Sequence, residues 1–196
     1  MNGKNPGRSL TFEIEPLCKK SHFLLVLNTI LLLLVTSCVQ VAYETITLKD
    51  ESDQSTVHRA MGNVLAGYPI SQRISLNVER RVLPNGKRVF YCLLEYLNDG
   101  AMLKGWLSIQ TGEPLLLRID GQIIRLAGIA DRYTRQTLGE QPSETAVYET
   151  PVELLNKLAE AREVIVRVRC SGQTIERSFG MENFRFLRRF VDEFGK

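Results

Sequence analysis

The chain has 196 residues, 44% hydrophobic and 24% charged, a balance that excludes an intrinsically disordered protein. Residues 1–37 hold four of its 25 basic and two of its 22 acidic side chains, so the remainder carries a formal charge of +1. That charge offers no strong field for steering, and nucleic acid is not an expected partner.

At the N-terminus, Lys19 and Lys20 precede an apolar run from Phe23 to Val35, softened by Asn28 and Thr29. The run has 13 residues, short for a helix that must cross a hydrocarbon core needing about 20, but suited to the apolar part of a secretory signal. It ends in Leu34, Val35, Thr36, Ser37 and Cys38: aliphatic residues, two small residues, then a cysteine. This order resembles the lipobox of bacterial lipoproteins. The resemblance implies diacylglyceryl transfer to the Cys38 sulfur, cleavage after Ser37 and acylation of the new amino terminus. Each buried methylene then contributes about 0.8 kcal/mol, and more than one chain is needed for lasting attachment. Val39, where an aspartate would favour inner-membrane retention in enterobacterial members, implies an outer-membrane protein facing the periplasm. The alternative is an uncleaved anchor with an incidental cysteine. Glu13 and Glu15 are unusual ahead of a secretory signal and suggest a start near Leu17, with residues 1–16 outside the translated chain.

Ala42 to Val57 is mostly polar and reads as a solvated tether, so that residues 38–57 form anchor and tether and residues 58–196 one globular domain. Val41, Tyr43, Ile46 and Leu48 leave room for an edge strand within it. Val57–Ala66 suggests a short helix ending near Gly67 and Pro69. From Arg73, Ile74, Leu76 and Val78 alternate with Ser75, Asn77 and Glu79, predicting a strand with one buried face. Asn85-Gly86 predicts a type I′ turn into a central strand, Arg88–Leu97, apolar on both faces. Met102–Ile109 reads as a third strand, and Leu115–Ile119 with Gln122–Ala127 as a hairpin about Asp120-Gly121. Gly128–Thr145 is the longest irregular stretch, and Ala146–Glu149 a short strand. Thr150, Pro151 and Glu153 predict a capping box for a helix running to about Arg162, burying Val152, Leu155, Leu158 and Ala159. A hairpin, Glu163–Cys170 with Gln173–Phe179, and a final helix, Met181–Phe194, complete the chain. The fold class is therefore α+β: an antiparallel β-sheet meander of about six to eight strands, with two C-terminal-half helices packed on one face.

Candidate chemistry is sparse. His58 is the only histidine after residue 37, so it has no second imidazole for a metal and is expected at the surface. No Walker loop, dinucleotide fingerprint, zincin helix or serine elbow occurs, and no cofactor or metal is expected. Cys92 and Cys170 sit on the inward faces of their strands, where they either form a disulfide in an oxidising compartment or remain as small buried hydrophobes. Arg167, Arg169 and Arg177, with Arg185, Arg188 and Arg189 on the last helix, either bind an anion (a peptidoglycan carboxylate, a lipid head group or an acidic protein face) or form a solvated face with nearby glutamates. Asp131, Arg132, Tyr133 and Arg135 could line a pocket in the long loop. The leading expectation is a lipid-anchored envelope protein without chemistry of its own, whose partner is another envelope protein or peptidoglycan. The alternative is a secreted enzyme or small-ligand-binding domain that uses the 128–145 loop.

Overall fold

The computed structural model describes residues 43–67, 72–98 and 105–196, all within one compact unit, Gln40–Lys196. The apolar N-terminal run, Cys38 and Met102–Lys104 lie outside the described residues. In chain order the elements are β1 (Glu44–Lys49), β2 (Thr56–Met61), β3 (Gln72–Val82), β4 (Arg88–Asn98), β5 (Leu115–Ile119), β6 (Gln122–Leu126), a 3-10 turn (Ala130–Arg132), β7 (Thr134–Leu138), β8 (Gln141–Glu149), α1 (Val152–Glu160), β9 (Val164–Cys170), β10 (Gln173–Ser178) and α2 (Met181–Phe194).

The protein is α+β, its strands antiparallel and in two sheets ordered β1-β2-β3-β4-β8-β7 and β10-β9-β5-β6. The expected single meander holds only for β1 to β4. After β4 the chain leaves for the second sheet, then returns with β7 and β8 to complete the first. Period-two alternation sets the core: Ile74, Leu76 and Val78 stand opposite Tyr96, Leu94 and Cys92, all of them buried. β5 and β9 bring Leu117 opposite Val166 and Ile119 opposite Val164 into the same core. The helices pack on each other and α2 touches β3, with Phe186, Leu187 and Phe190 buried.

Several local expectations are corrected. The polar segment read as a tether contains β1, and Asp50–Ser55 is the turn that joins β1 to β2. Asp50 accepts the Ser52 amide at 3.0 Å and Asp53 the Ser55 amide at 2.9 Å, so short polar side chains build the turn. Val57–Ala66 is not helical: β2 pairs with β1 and β3, and Gly62, at φ +93°, starts a bend after which Val64 bridges Ser75. At Asn85-Gly86 only Gly86 has positive φ, +79°, so the turn is not type I′. The Leu83 carbonyl instead accepts the Gly86 amide at 2.8 Å, and the Leu83 amide donates to the Lys87 carbonyl at 2.9 Å. Asp120-Gly121, at φ +47° and +84°, does meet the type I′ requirement.

The described part of the third expected strand, 105–109, is not a strand: its backbone pairing is the isolated Ile109–Cys170 bridge, and side chains of β4 and β8 hold the rest, Tyr96 donating to the Gly105 carbonyl at 3.0 Å and Glu144 accepting the Ser108 and Ile109 amides. The stretch read as a long loop is largely a hairpin, with Gly139 at φ +64° in its two-residue turn, and Ala146–Glu149 is the end of β8. No capping box starts α1. Its N-cap is Pro151, without a side-chain cap, while the buried Thr150 hydroxyl accepts the Cys92 amide at 3.2 Å and donates to the Tyr148 carbonyl at 3.0 Å. Sheet registry claims that hydroxyl before the helix can.

Candidate functional site

Two buried carboxylates organise the polar side chains. Glu144 of β8 is fully buried, its side chain on the core-facing side of the sheet beside residues 105–109. One oxygen accepts the Ser108 amide at 2.7 Å and the other the Ile109 amide at 2.8 Å. The Tyr133 hydroxyl donates at 2.8 Å and Arg135 Nη2 approaches at 3.4 Å. Ser108 sits at φ +56°, the left-handed region, which turns successive amides toward one acceptor. Burial and the hydrogen bond to Glu144 raise the Tyr133 pKa above the ordinary phenol value. Arg135 also donates to the Ser108 hydroxyl at 2.9 Å, and its guanidinium lies 4.8 Å from the ring centre of half-exposed Trp106.

Above this clasp is an open cleft of about 520 Å³, lined by Ser108, Gln110, Thr111, Glu113, Tyr133, Arg135 and Ser171. Tyr133 and Arg135 therefore meet where the sequence placed a pocket, but on a strand and its approach. A ligand there would find hydroxyls, the Gln110 amide, the Arg135 guanidinium and the Glu113 carboxylate, which is paired with Arg169 at 3.2 Å, while Glu144 beneath is occupied by four donors of its own chain. The arrangement can bind a polar or anionic group.

Arg132 lies elsewhere. The 3-10 turn carries it over the opposite face of the six-stranded sheet, where Nη2 donates to Glu79 at 3.1 Å and the guanidinium stacks 4.4 Å from the Tyr91 ring centre. Glu79 is fully buried and also receives Arg59 through Nε at 2.9 Å and Nη2 at 2.6 Å. Arg81 stands 3.7 Å away and is held by Asp50 at 3.0 Å and Asp53 at 2.9 Å. Beside it, buried Asn77 accepts the Asn63 amide at 3.0 Å and donates to Glu95 at 2.7 Å. The face of β3 expected to meet water is thus buried from Ser75 to Glu79, covered by arginines and by the segment after β2. Burial raises the Glu95 pKa, with Arg59 and the Asn77 hydrogen bond pulling it back. Asp131 makes no contact that would bring it into either cluster.

The late-hairpin arginines do not converge. Arg167 pairs with Glu176 across the strands, and Arg169 reaches Glu113 at 3.2 Å. Arg177 turns inward, 4% exposed, with Nη1 donating to the Glu176 carbonyl at 2.9 Å and Nη2 without a partner. Its stem fills the space that a side chain at Gly67 would occupy. Of the two alternatives for Cys92 and Cys170, the structure holds the second: two free buried thiols, each pushed up to about 11 by burial. His58 lies at the surface, partly covered: its ring stacks 4.9 Å from Phe194, Nδ1 is 3.1 Å from the Thr47 hydroxyl, and burial followed by the Arg80 charge lowers its pKa.

Among the described residues, no group of three or more His, Cys, Asp or Glu could hold a metal ion, and no helix is long and apolar enough to cross a membrane. Comparison with known proteins finds no matching family model, curated sequence or solved structure. Sequence reasoning missed Glu144, Glu79 and Ser108. Glu79 had a signal, because it continues the alternation of β3 opposite Tyr91, but its burial depends on Arg59 and Arg132 from elsewhere in the chain.

Proposed function

We propose that the chain is a lipid-anchored protein of a bacterial cell envelope, whose α+β domain binds a partner or serves structurally without chemistry of its own. The observation that carries this reading is the order Leu34-Val35-Thr36-Ser37-Cys38 after two lysines and an apolar run too short to span a bilayer comfortably. Support for a non-catalytic role comes from how the buried carboxylates are used: Glu144 and Glu79 are engaged by amides, a tyrosine and arginines of the same chain. Val39 favours the outer membrane by the same resemblance. The test is labelling with radioactive palmitate, with and without globomycin. The expected result is a labelled mature chain beginning at Cys38 and a longer precursor under the inhibitor. An unlabelled chain that keeps residues 1–37 would overturn the reading.

The cleft beside Tyr133 and Arg135 favours a second reading, a small-ligand site for a carboxylate-bearing molecule such as a peptidoglycan fragment. Its size lies within the roughly 300 to 1,000 Å³ of ligand pockets, and Arg135 offers a planar donor pair. Calorimetric titration with peptidoglycan fragments tests it. Binding that Arg135→Ala abolishes and Gln173→Ala leaves unchanged would support it; the absence of binding to the wild-type chain would discard it.

A further inference from the structure

The chain enters the described domain at Tyr43, and this residue is fastened to α2. Its ring meets Phe186 edge-on at 5.0 Å, Arg189 stacks over it at 4.1 Å, and its hydroxyl donates to Glu193 at 3.1 Å. β1 starts at the next residue and forms one edge of the six-stranded sheet, with β7 at the other. Five spacings of about 4.8 Å separate those edge strands, or about 24 Å along the sheet.

Cys38 and Tyr43 are five residues apart in sequence, a connection that spans at most about 18 Å when fully extended. A domain of this size is about 40 Å across. An acylated Cys38 lies at the lipid surface, so the leash is shorter than half the body it holds. The side of the domain bearing Tyr43 must stay near the headgroups, whereas the far edge of the sheet is under no such constraint.

We propose that the exposed side of α2, together with the Tyr43 end of β1, faces the phospholipid headgroup layer that carries Cys38, while β7 and the cleft beside it face away. This inference rests on the acylation of Cys38 proposed above. Arg185, Arg188 and Arg189 recur along that side of α2; within the chain Arg185 pairs with Glu182, Arg188 Nε donates to the Ala159 carbonyl at 2.9 Å and Arg189 lies over Tyr43, and the guanidinium donors left over can meet lipid phosphates. Glu182, Asp192 and Glu193 balance them in formal charge. Attraction is therefore not what sets the orientation; the short connection is. The segment read from sequence as a long tether is spent on β1 and its turn, and this is what brings the domain down onto the membrane.

The test uses the full chain purified from membranes with its acyl groups, in vesicles of phosphatidylethanolamine and phosphatidylglycerol containing a headgroup-nitroxide lipid. Single cysteines at the exposed positions of Arg185→Cys and Gln136→Cys carry a fluorophore; Cys92 and Cys170 are buried and Cys38 is blocked by its lipid. Quenching several-fold stronger at position 185 than at 136 is the expected result. Equal quenching, the reverse order, or quenching at neither position in palmitate-labelled protein would overturn the proposal while leaving the anchor standing. A chain that takes up no palmitate removes the anchor, and the proposal with it. A Gly/Ser insert of about 20 residues before Tyr43 raises the root-mean-square reach to about 28 Å and should cut the quenching at 185. Quenching that persists undiminished would overturn the part given to the short leash.

Discussion

Replacing Glu144 by glutamine keeps its shape and removes its charge, and the structure says what that costs. The carboxylate accepts two backbone amides, the Tyr133 hydroxyl and, more distantly, Arg135. An amide side chain must place its own NH2 toward one of two donor pairs. Facing Ser108 N and Arg135, it meets two groups that cannot accept. Facing Ile109 N and Tyr133, it can be rescued by rotation of the phenolic hydrogen, but the Ile109 amide loses its acceptor. That second arrangement leaves one buried amide orphaned, at about 1–3 kcal/mol, and turns the remaining charged hydrogen bonds into neutral ones, at about 1 kcal/mol each. The contact with Arg135 is discounted because that side chain is 40% exposed. Glu144→Gln should therefore destabilise by about 3–4 kcal/mol, lowering the melting temperature by roughly 10 °C for a domain of this size. Urea and thermal unfolding followed by circular dichroism measure it, with Tyr133→Phe as the milder companion at about 1 kcal/mol. A Glu144→Gln loss below about 0.5 kcal/mol would refute the idea that this carboxylate clasps residues 108–109 to β8.

Other outcomes follow from the same kind of reasoning. Thr150→Val should cost about 1–3 kcal/mol, because it orphans the Cys92 amide, whereas Glu153→Ala should change stability by less than about 0.5 kcal/mol, since no capping box exists; equal losses in paired unfolding curves would contradict this. Asp53 is held at about 2, first by Ser55, whose amide donates to it at 2.9 Å, and then by Arg81, so its stabilisation is complete above the ordinary carboxylate range and is lost as pH falls from about 4 toward 2. Asp53→Asn should flatten acid unfolding in that window, and an unchanged acid limb would show the turn to be idle. Cys92 and Cys170, both buried and pushed up to about 11, should resist iodoacetamide at pH 8 until denaturant is added. Mass spectrometry reads the adducts, and one gained in the folded state would refute their burial. Arg177→Met should be neutral or stabilising by about 1 kcal/mol, because it removes a buried charge with an unpartnered nitrogen; a clear loss in melting temperature would mean that the guanidinium has a partner of value.

The residues alone determined what depends on neighbours in the chain. The alternation from Ile74 to Val78 made β3, Asp120-Gly121 made a turn, and the spacing of Leu187, Val191 and Phe194 made α2, because backbone sterics and one-sided burial act within a few residues. α+β character followed from the order of those elements. β7 escaped notice because all five of its side chains are exposed, so no apolar period marks it; only pairing with β8 makes it a strand. The Thr150 hydroxyl had a local use in a cap and a distant one in the sheet, and the buried amide of Cys92 took it. Tertiary structure also decided which carboxylates are buried. A glutamate can sit at zero exposure only where donors remote in sequence converge on it, as Ser108, Tyr133 and Arg135 do on Glu144, and Arg59 and Arg132 on Glu79.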